Sequence, residues 1–413
     1  MSIIPLPQNY ANHFSNNSNT NSVFESIDMP LLLSALALLG LGLVMVASSS
    51  ISIAERELSE PLFYFWRQFT YSIVGLVAGF IVFKLRLDLL QKAGPALIII
   101  SMFLLMLVLI PGLGKNVNGS IRWLNLGVVS LQVSELVKLA TVIYLAGYLV
   151  RHNEEVRTKL SGFFRPLILI FIISLLLILE PDFGAVVVIA MTAMGMLWLG
   201  GASFFQFIFL TLTMAAALSL VAISSPYRME RLTTFLNPWA DPYNSGFQLT
   251  QALIAFGRGE WFGVGLGSSV QKLFYLPEAH TDFVLAVLAE ELGLFSIVIV
   301  IAMFCFIVIR ALMIGRRAEK RERPFTAYLV YGLAIWIGLQ AFINIGVNMG
   351  VLPTKGLTLP LMSYGGSSLI IMCVVIALLL RADYETRKDD RTSQAKRSKS
   401  NSNRNGTVGA QAW

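Results

Sequence analysis

The stretch "YLPEAHTDFVLAVLAEELGL", Tyr275 to Leu294, sets His280 and Asp282 at the edge of an apolar helix and buries Glu290 and Glu291 farther in. A carboxylate at bilayer depth costs about 2.5–3.5 kcal/mol on insertion scales, so each acid needs a partner, a wet cavity or a chemical task. Asp282 admits two roles: an N-cap, which Thr281 and Asp282 both favour, or a general base at the mouth of a span. Glu290 and Glu291 fit best as partners of buried cations and second as contacts to a polar ligand. In "SLQVSELVKLA" Glu135 and Lys138 stand three residues apart, neighbours on one helix face that can satisfy each other. Arg122 and Trp123 in "GSIRWLNLG" and Lys355 in "LPTKGLTLP" bring cations and a ring to the same side as Asp282, a combination suited to an anionic phosphate ligand beside a base. The small residues of "SYGGSS", Ser363, Gly365, Gly366 and Ser367 among them, fit close helix packing first and ligand contact second. "GVGLGSS" lacks the strand-turn-helix setting of a nucleotide fingerprint and points to a tight turn or close backbone approach.

Elements of unusual composition must position these groups. Of 413 residues, 56% are hydrophobic and 13% charged, with mean hydropathy +0.70. An ordinary soluble domain carries about a quarter charged residues, so the pattern is that of an all-α polytopic membrane protein. Apolar segments long enough to span begin near Met29, Phe63, Pro95, Leu131, Pro166, Gly184, Phe204, Phe283, Thr326 and Leu357, which predicts ten transmembrane helices within 29–381. Residues 1–28 are Asn/Ser-rich without a basic leader region, and 382–413 are charged and polar, so both are expected to be disordered tails. Cys305 and Cys373 lie in apolar runs, which argues against a disulfide framework, and no cluster of metal ligands is visible.

Lys and Arg set the orientation. With a cytoplasmic N-terminus the inner segments carry 21 of them and the outer segments 8, so the positive-inside bias places both termini in the cytoplasm. The net charge of +7 then marks topology, not nucleic-acid binding. The segments 111–130, 225–282 and 348–356 all face outward, the second forming a large loop between helices 7 and 8.

"NGSIRWLNLG", "QVSELVKL", "LPEAHTDF", "AEELGL" and "LPTKGLTLPLMSYGGSS", in this order, resemble the SEDS family of bacterial cell-wall polymerases across residues 30–381. The Lys-Gly of "PTKGLTLPL" and the polar tails look more like its division-type than its elongation-type members. The resemblance implies a peptidoglycan glycosyltransferase of the cytoplasmic membrane, placed at the septum, that polymerises lipid II on the outer face. It puts the family's required aspartate at Asp282, with Lys355 and Arg122 offsetting charge on the pyrophosphate leaving group. Trp123, Glu135, Lys138, Glu290, Ser363, Gly365, Gly366 and Ser367 are further substrate-binding candidates. No cofactor is demanded, although a divalent cation such as Mg2+ could share the electrostatic work. The implied partners are a class B penicillin-binding protein and other division proteins. A lipid II flippase is the alternative from another class, since Glu135, Lys138, Glu290 and Glu291 could line a polar path. If Lys355 meets charge that grows in the transition state, Lys355→Gln lowers glycan turnover by roughly tenfold or more with lipid II binding little changed, measured on one detergent preparation.

Overall fold

A computed structural model describes residues 27–117, 120–125, 130–223, 226–273, 275–354 and 356–408. The chain is mostly helical: α1 (Met29–Leu58), α2 (Phe63–Lys84), α3 (Leu87–Val108), α4 (Val133–Arg151), α5 (Asn153–Thr158), α6 (Leu160–Leu179), α7 (Phe183–Leu199), α8 (Phe204–Ile223), α9 (Pro226–Leu236), α10 (Phe247–Gly259), α11 (Val284–Lys320), α12 (Pro324–Asn348) and α13 (Gly366–Val408). Eight of these are long and apolar enough to cross a membrane, and α7 and the first part of α8 are shorter apolar helices. The expected starts at Pro95 and Pro166 fall inside α3 and α6, which begin about two turns earlier. Between α3 and α4 the chain adds a small antiparallel sheet to the expected all-α fold, β1 (Gly114–Val117), β2 (Ser120–Asn125) and β3 (Ser130–Gln132) in that order.

Burial sorts the helices into two classes. Most of α4, α12 and the apolar part of α13 is enclosed by protein, whereas α2, α3 and α6 leave most of their apolar side chains on the surface, where hydrocarbon is their natural solvent. Trp66, Phe69, Val77 and Phe80 of α2 form one such exposed face, while its opposite face packs along α13.

Two expectations are corrected. The apolar pattern predicts a tenth span from Leu357, but residues 357–365 are non-helical, and α13 starts only at Gly366. Apolar residues are there, with Leu357, Leu359, Leu361 and Met362 buried, yet Pro360 and a positive φ of 64° at Leu361 keep the segment non-helical. The C-terminal segment from 382 is helical through Val408 instead of disordered. Its first part is held by ion pairs: Asp383 receives Arg317 (2.8 Å) and Arg387 (2.7 Å), and Glu385 receives Arg381 and Arg323. Of the expected N-terminal tail only Ile27 and Asp28 are described, and Asp28 caps α1 and pairs with Arg310.

Helix α11 is interrupted at Gly293 (φ 73°, ψ −178°), one turn beyond the two glutamates. The segment after α10 is stitched into the gap: Val264 N and Gly265 N donate to Glu290 O and Glu291 O, and Leu294 N and Phe295 N donate to Glu260 O and Trp261 O. Orphan backbone groups that water would otherwise satisfy are thus paired inside the protein. The approach is so close that a Cβ on Gly259 would overlap Ala289 O, and one on Gly263 would overlap Glu291 O. At Gly263 this is close backbone approach, one of the two readings that the glycine-rich stretch offers. Gly259→Ala must push the two backbones apart, so it should lower the melting temperature in detergent by several degrees or prevent folding, whereas Gly257→Ala, which meets nothing within 4 Å, should be near-neutral. Equal melting temperatures for the two variants would show that the stitch carries little stability.

Candidate active site

The site is built on α12. Trp336, Gln340, Asn344 and Asn348 recur every fourth residue, so they share one face of the helix, and all four are buried. Gln340 Oε1 accepts from Lys138 Nζ (2.8 Å) and Trp336 Nε1 (2.9 Å), and Gln340 Nε2 donates to Thr358 O (3.1 Å). Asn344 Nδ2 donates to Leu357 O (2.6 Å) and Asp282 O (3.0 Å). Asn348 Nδ2 donates to the same Asp282 carbonyl (2.9 Å), and its Oδ1 accepts from Ala286 N (3.2 Å). Glu135 completes the row at its other end by pairing with Lys138 at 2.8 Å, as the spacing predicted. An unbroken polar line therefore runs from the Glu135–Lys138 pair to the start of α11.

Asp282 stands at the end of that line. The N-cap of α11 is Phe283, not Asp282, and the Ala286 N–H in the first turn is taken by Asn348 Oδ1. The Asp282 carboxylate lies beside Gly356, where an added Cβ would come within 3.2 Å of Oδ2. The next residue, Leu357, packs on Gly184 in the first turn of α7. Lys355 lies outside the described residues. Two residues before Asp282, the His280 ring sits among Tyr64 (4.7 Å) and Tyr364 (5.4 Å), and burial holds its pKa below the usual histidine range. The imidazole is therefore neutral near pH 7.

Arg122 is engaged at the turn between α6 and α7. Its Nε donates to Glu180 O (3.4 Å), its Nη2 donates to Pro181 O, and Nη1 lies 4.0 Å from Asp182 Oδ1. It braces the α6–α7 turn, whose Asp182 caps α7 by accepting from Ala185 N. Trp123 pairs across the sheet with Lys115 and Gln132. In the small-residue motif, Ser363 Oγ accepts from Leu359 N and Ser367 Oγ from Gln132 N, while Gly366 lies against the Tyr71 ring. These contacts knit the turn before α13 into the bundle.

Glu290 is engaged by the segment after α10. Its carboxylate accepts from Arg258 Nη1 (3.1 Å), Val270 N (3.0 Å), Gln271 N (3.2 Å) and Ser269 Oγ. Four protein donors on a fully buried acid make it an anchor for this segment in place of a ligand contact. Glu291 accepts from Lys272 Nζ and Ser48 Oγ, both at 2.7 Å. Ser269 and Lys272 have the Ser-x-x-Lys spacing of penicillin-binding enzymes, but Lys272 Nζ is bound to Glu291 and Ser48 while Ser269 Oγ is bound to Glu290. The lysine amine is thus held away from the serine hydroxyl that the motif would have it activate. Among the described residues no three His, Cys, Asp or Glu gather to hold a metal ion.

Residues 29–388 match the profile of the FtsW, RodA and SpoVE cell cycle proteins. The chain belongs to that family. A probable peptidoglycan glycosyltransferase FtsW of Nitrosococcus halophilus is 61% identical over 87% of this chain and 93% of its own length, and the one of Legionella pneumophila is 57% identical over 85% and 89%. RodA of Thermus thermophilus has the same fold at TM-score 0.64, with 26% identity over 87% of this chain and 97% of its own. A chain of a peptidoglycan synthase complex that coordinates polymerization and crosslinking aligns at TM-score 0.70, with 26% identity over 87% and 98%. In this family member the sequence motifs missed Gln340, Asn344 and Asn348. Their signal was the four-residue recurrence of amides in the apolar stretch "WIGLQAFINIGVN".

Glu180 was missed as well. It is fully buried at the α6–α7 turn, and neither carboxyl oxygen has a hydrogen-bond partner. Burial, with Asp182 adding to it and Arg122 opposing, pushes its pKa up to about 8. The folded chain keeps a proton that the unfolded chain releases near the ordinary carboxyl value, so the native state binds more protons between those two pH values. This group's contribution to stability is therefore full at low pH and declines as pH rises toward about 8. Glu180→Gln, neutral throughout, should match the parent's melting temperature near about pH 5 and exceed it at about pH 8.5. A difference independent of pH would contradict a protonated Glu180.

Proposed function

We infer that this chain is a division-type peptidoglycan glycosyltransferase that joins lipid II units into glycan strands, with Asp282 as general base. The observation that carries the assignment is the treatment of Asp282. Two buried amides fix its main chain, the N-cap position of α11 falls to Phe283, and the Asp282 carboxylate faces Gly356. A carboxylate anchored through its backbone at the end of a helix bundle is suited to take a proton from a positioned hydroxyl. The family and the FtsW relatives at 57–61% identity support the substrate class.

In the reaction, the 4-hydroxyl of an acceptor GlcNAc attacks the anomeric carbon of the donor MurNAc. The bond to the polyprenyl pyrophosphate breaks on the opposite face and inverts the anomeric centre. Asp282 takes the hydroxyl proton as the new bond forms, and the pyrophosphate leaves with the electron pair. Lys355 is assigned to the growing charge on that leaving group. Arg122 supports it indirectly by fixing the turn that packs, through Gly184, on Leu357. No step is assigned to Mg2+.

The reaction lies on the outer face of the cytoplasmic membrane, with both termini inside and the site at the septum, and a class B penicillin-binding protein supplies transpeptidation. The likeness to a chain of a peptidoglycan synthase complex supports such a partner. A flippase is the weaker reading because the ionisable groups suited to a polar path are paired within the protein: Glu135 with Lys138, Glu290 with Arg258 and Glu291 with Lys272. Asp282→Asn keeps size and backbone contacts while removing the base, so polymerisation of purified lipid II should fall by roughly two to four orders of magnitude with folding and lipid II binding retained. Near-normal polymer from that variant would remove Asp282 from the chemistry, and a parent chain that moves lipid II across liposomes without polymerising it would favour the flippase.

A further inference from the structure

We propose that Asn344 is a positioning residue of the transferase, whose single side-chain amide holds the Asp282 main chain and the 356–358 segment in one fixed geometry. This rests on Asp282 as the base. Both hydrogens of the Asn344 amide are used, one on Asp282 O (3.0 Å) and one on Leu357 O (2.6 Å), two carbonyls far apart in the chain. The amide cannot turn over without placing its oxygen against two carbonyl oxygens. Asn348, one turn along, fixes it from behind: its Nδ2 donates to Asn344 O (2.9 Å), to Asn344 Oδ1 (3.3 Å) and again to Asp282 O.

The geometry ties together two parts that must act at once. The base arrives with α11 and the 356–358 segment with the stretch before α13, and no helix connects them locally. Gln340 holds the same segment one residue farther on, through Thr358 O, so the α12 amides fix its path relative to Asp282. A displacement of about 1 Å between a base and its reacting hydroxyl costs on the order of a hundredfold in rate. Removing the staple therefore leaves the carboxylate present but misplaced. A purely structural amide would behave otherwise: its loss would lower the folded fraction while each folded molecule turned over normally.

The full chain with its class B partner is purified as parent, Asn344→Ala, Asn344→Gln, Asn348→Ala and Asp282→Asn, and the folded fraction, lipid II KM and glycan kcat are measured for each. Asn344→Ala is expected to lose about 10- to 100-fold in kcat per folded molecule with KM within about threefold. Asn348→Ala, which leaves the Leu357 contact in place, loses less, and Asn344→Gln, which keeps the amide donors, recovers part of the rate. The proposal is overturned if Asn344→Ala turns over within twofold of the parent, or if its loss lies in KM alone. If Asn344→Ala does not fold, Asn348→Ala takes its place, and a parental kcat there overturns the proposal. Normal polymerisation by Asp282→Asn would instead overturn the underlying assignment of the base, which makes the two failures distinguishable.

Discussion

A bilayer core offers no hydrogen bonds, so every backbone group that leaves a helix inside it must be satisfied by protein. Two non-helical stretches among the described residues are filled by protein in this way. At Gly293 the gap in α11 is filled by another stretch of backbone, which is why glycines stand on both sides of the contact. At 357–365 the non-helical segment is held by side-chain amides: Gln340, Asn344 and, from α2, Gln68, which donates to Ser363 O. Each amide brings donors on a short stem, and burial on α12 or α2 fixes where they point. The site follows from this economy, because the residues that satisfy the turns also hold Asp282.

Buried charge obeys the same rule in a more costly form. Leaving one partner of a buried pair alone costs about 3–5 kcal/mol, so charges inside the bundle come with their counter-ions. Glu135 has Lys138, Glu291 has Lys272, and Glu290 has Arg258 together with three further donors. Glu180 has no hydrogen-bond donor and solves the problem by holding a proton. Far along the chain from the site, Asp28, Asp383 and Glu385 gather Arg310, Arg387, Arg317, Arg323 and Arg381, tying the start of α1 to α11 and to the extension of α13. Acids buried by tertiary contact gave the C-terminal segment a reason to stay helical that its polar composition concealed.

Much was legible in the sequence because hydrocarbon imposes simple patterns. Length and composition marked the apolar helices, and three-residue spacing marked the Glu135–Lys138 pair. The quoted motifs marked the family and the aspartate. Helix starts were missed at Pro95 and Pro166 because proline is tolerated inside a helix when neighbouring protein covers the freed carbonyl. The charge and loop of Arg122 suggest an anionic ligand, and a guanidinium with five donors also takes whatever acceptors the fold presents, here the carbonyls of the α6–α7 turn. Glu290 was weighed as a ligand contact for the same reason, since no local pattern shows which remote loop will supply its donors.

The sequence by itself determined that the chain is a helical membrane protein, that its buried charges need partners, and that Asp282 stands at the edge of a span. Those properties follow from hydrophobicity and short-range spacing, which a linear string carries in full. Only the tertiary structure decided that residues 357–365 are non-helical, that Asn344 and Asn348 grip Asp282, and that Arg122 grips the α6–α7 turn. Each of those outcomes depends on which carbonyls are left without a helical partner after the bundle closes, and that is settled by contacts between residues distant in the chain.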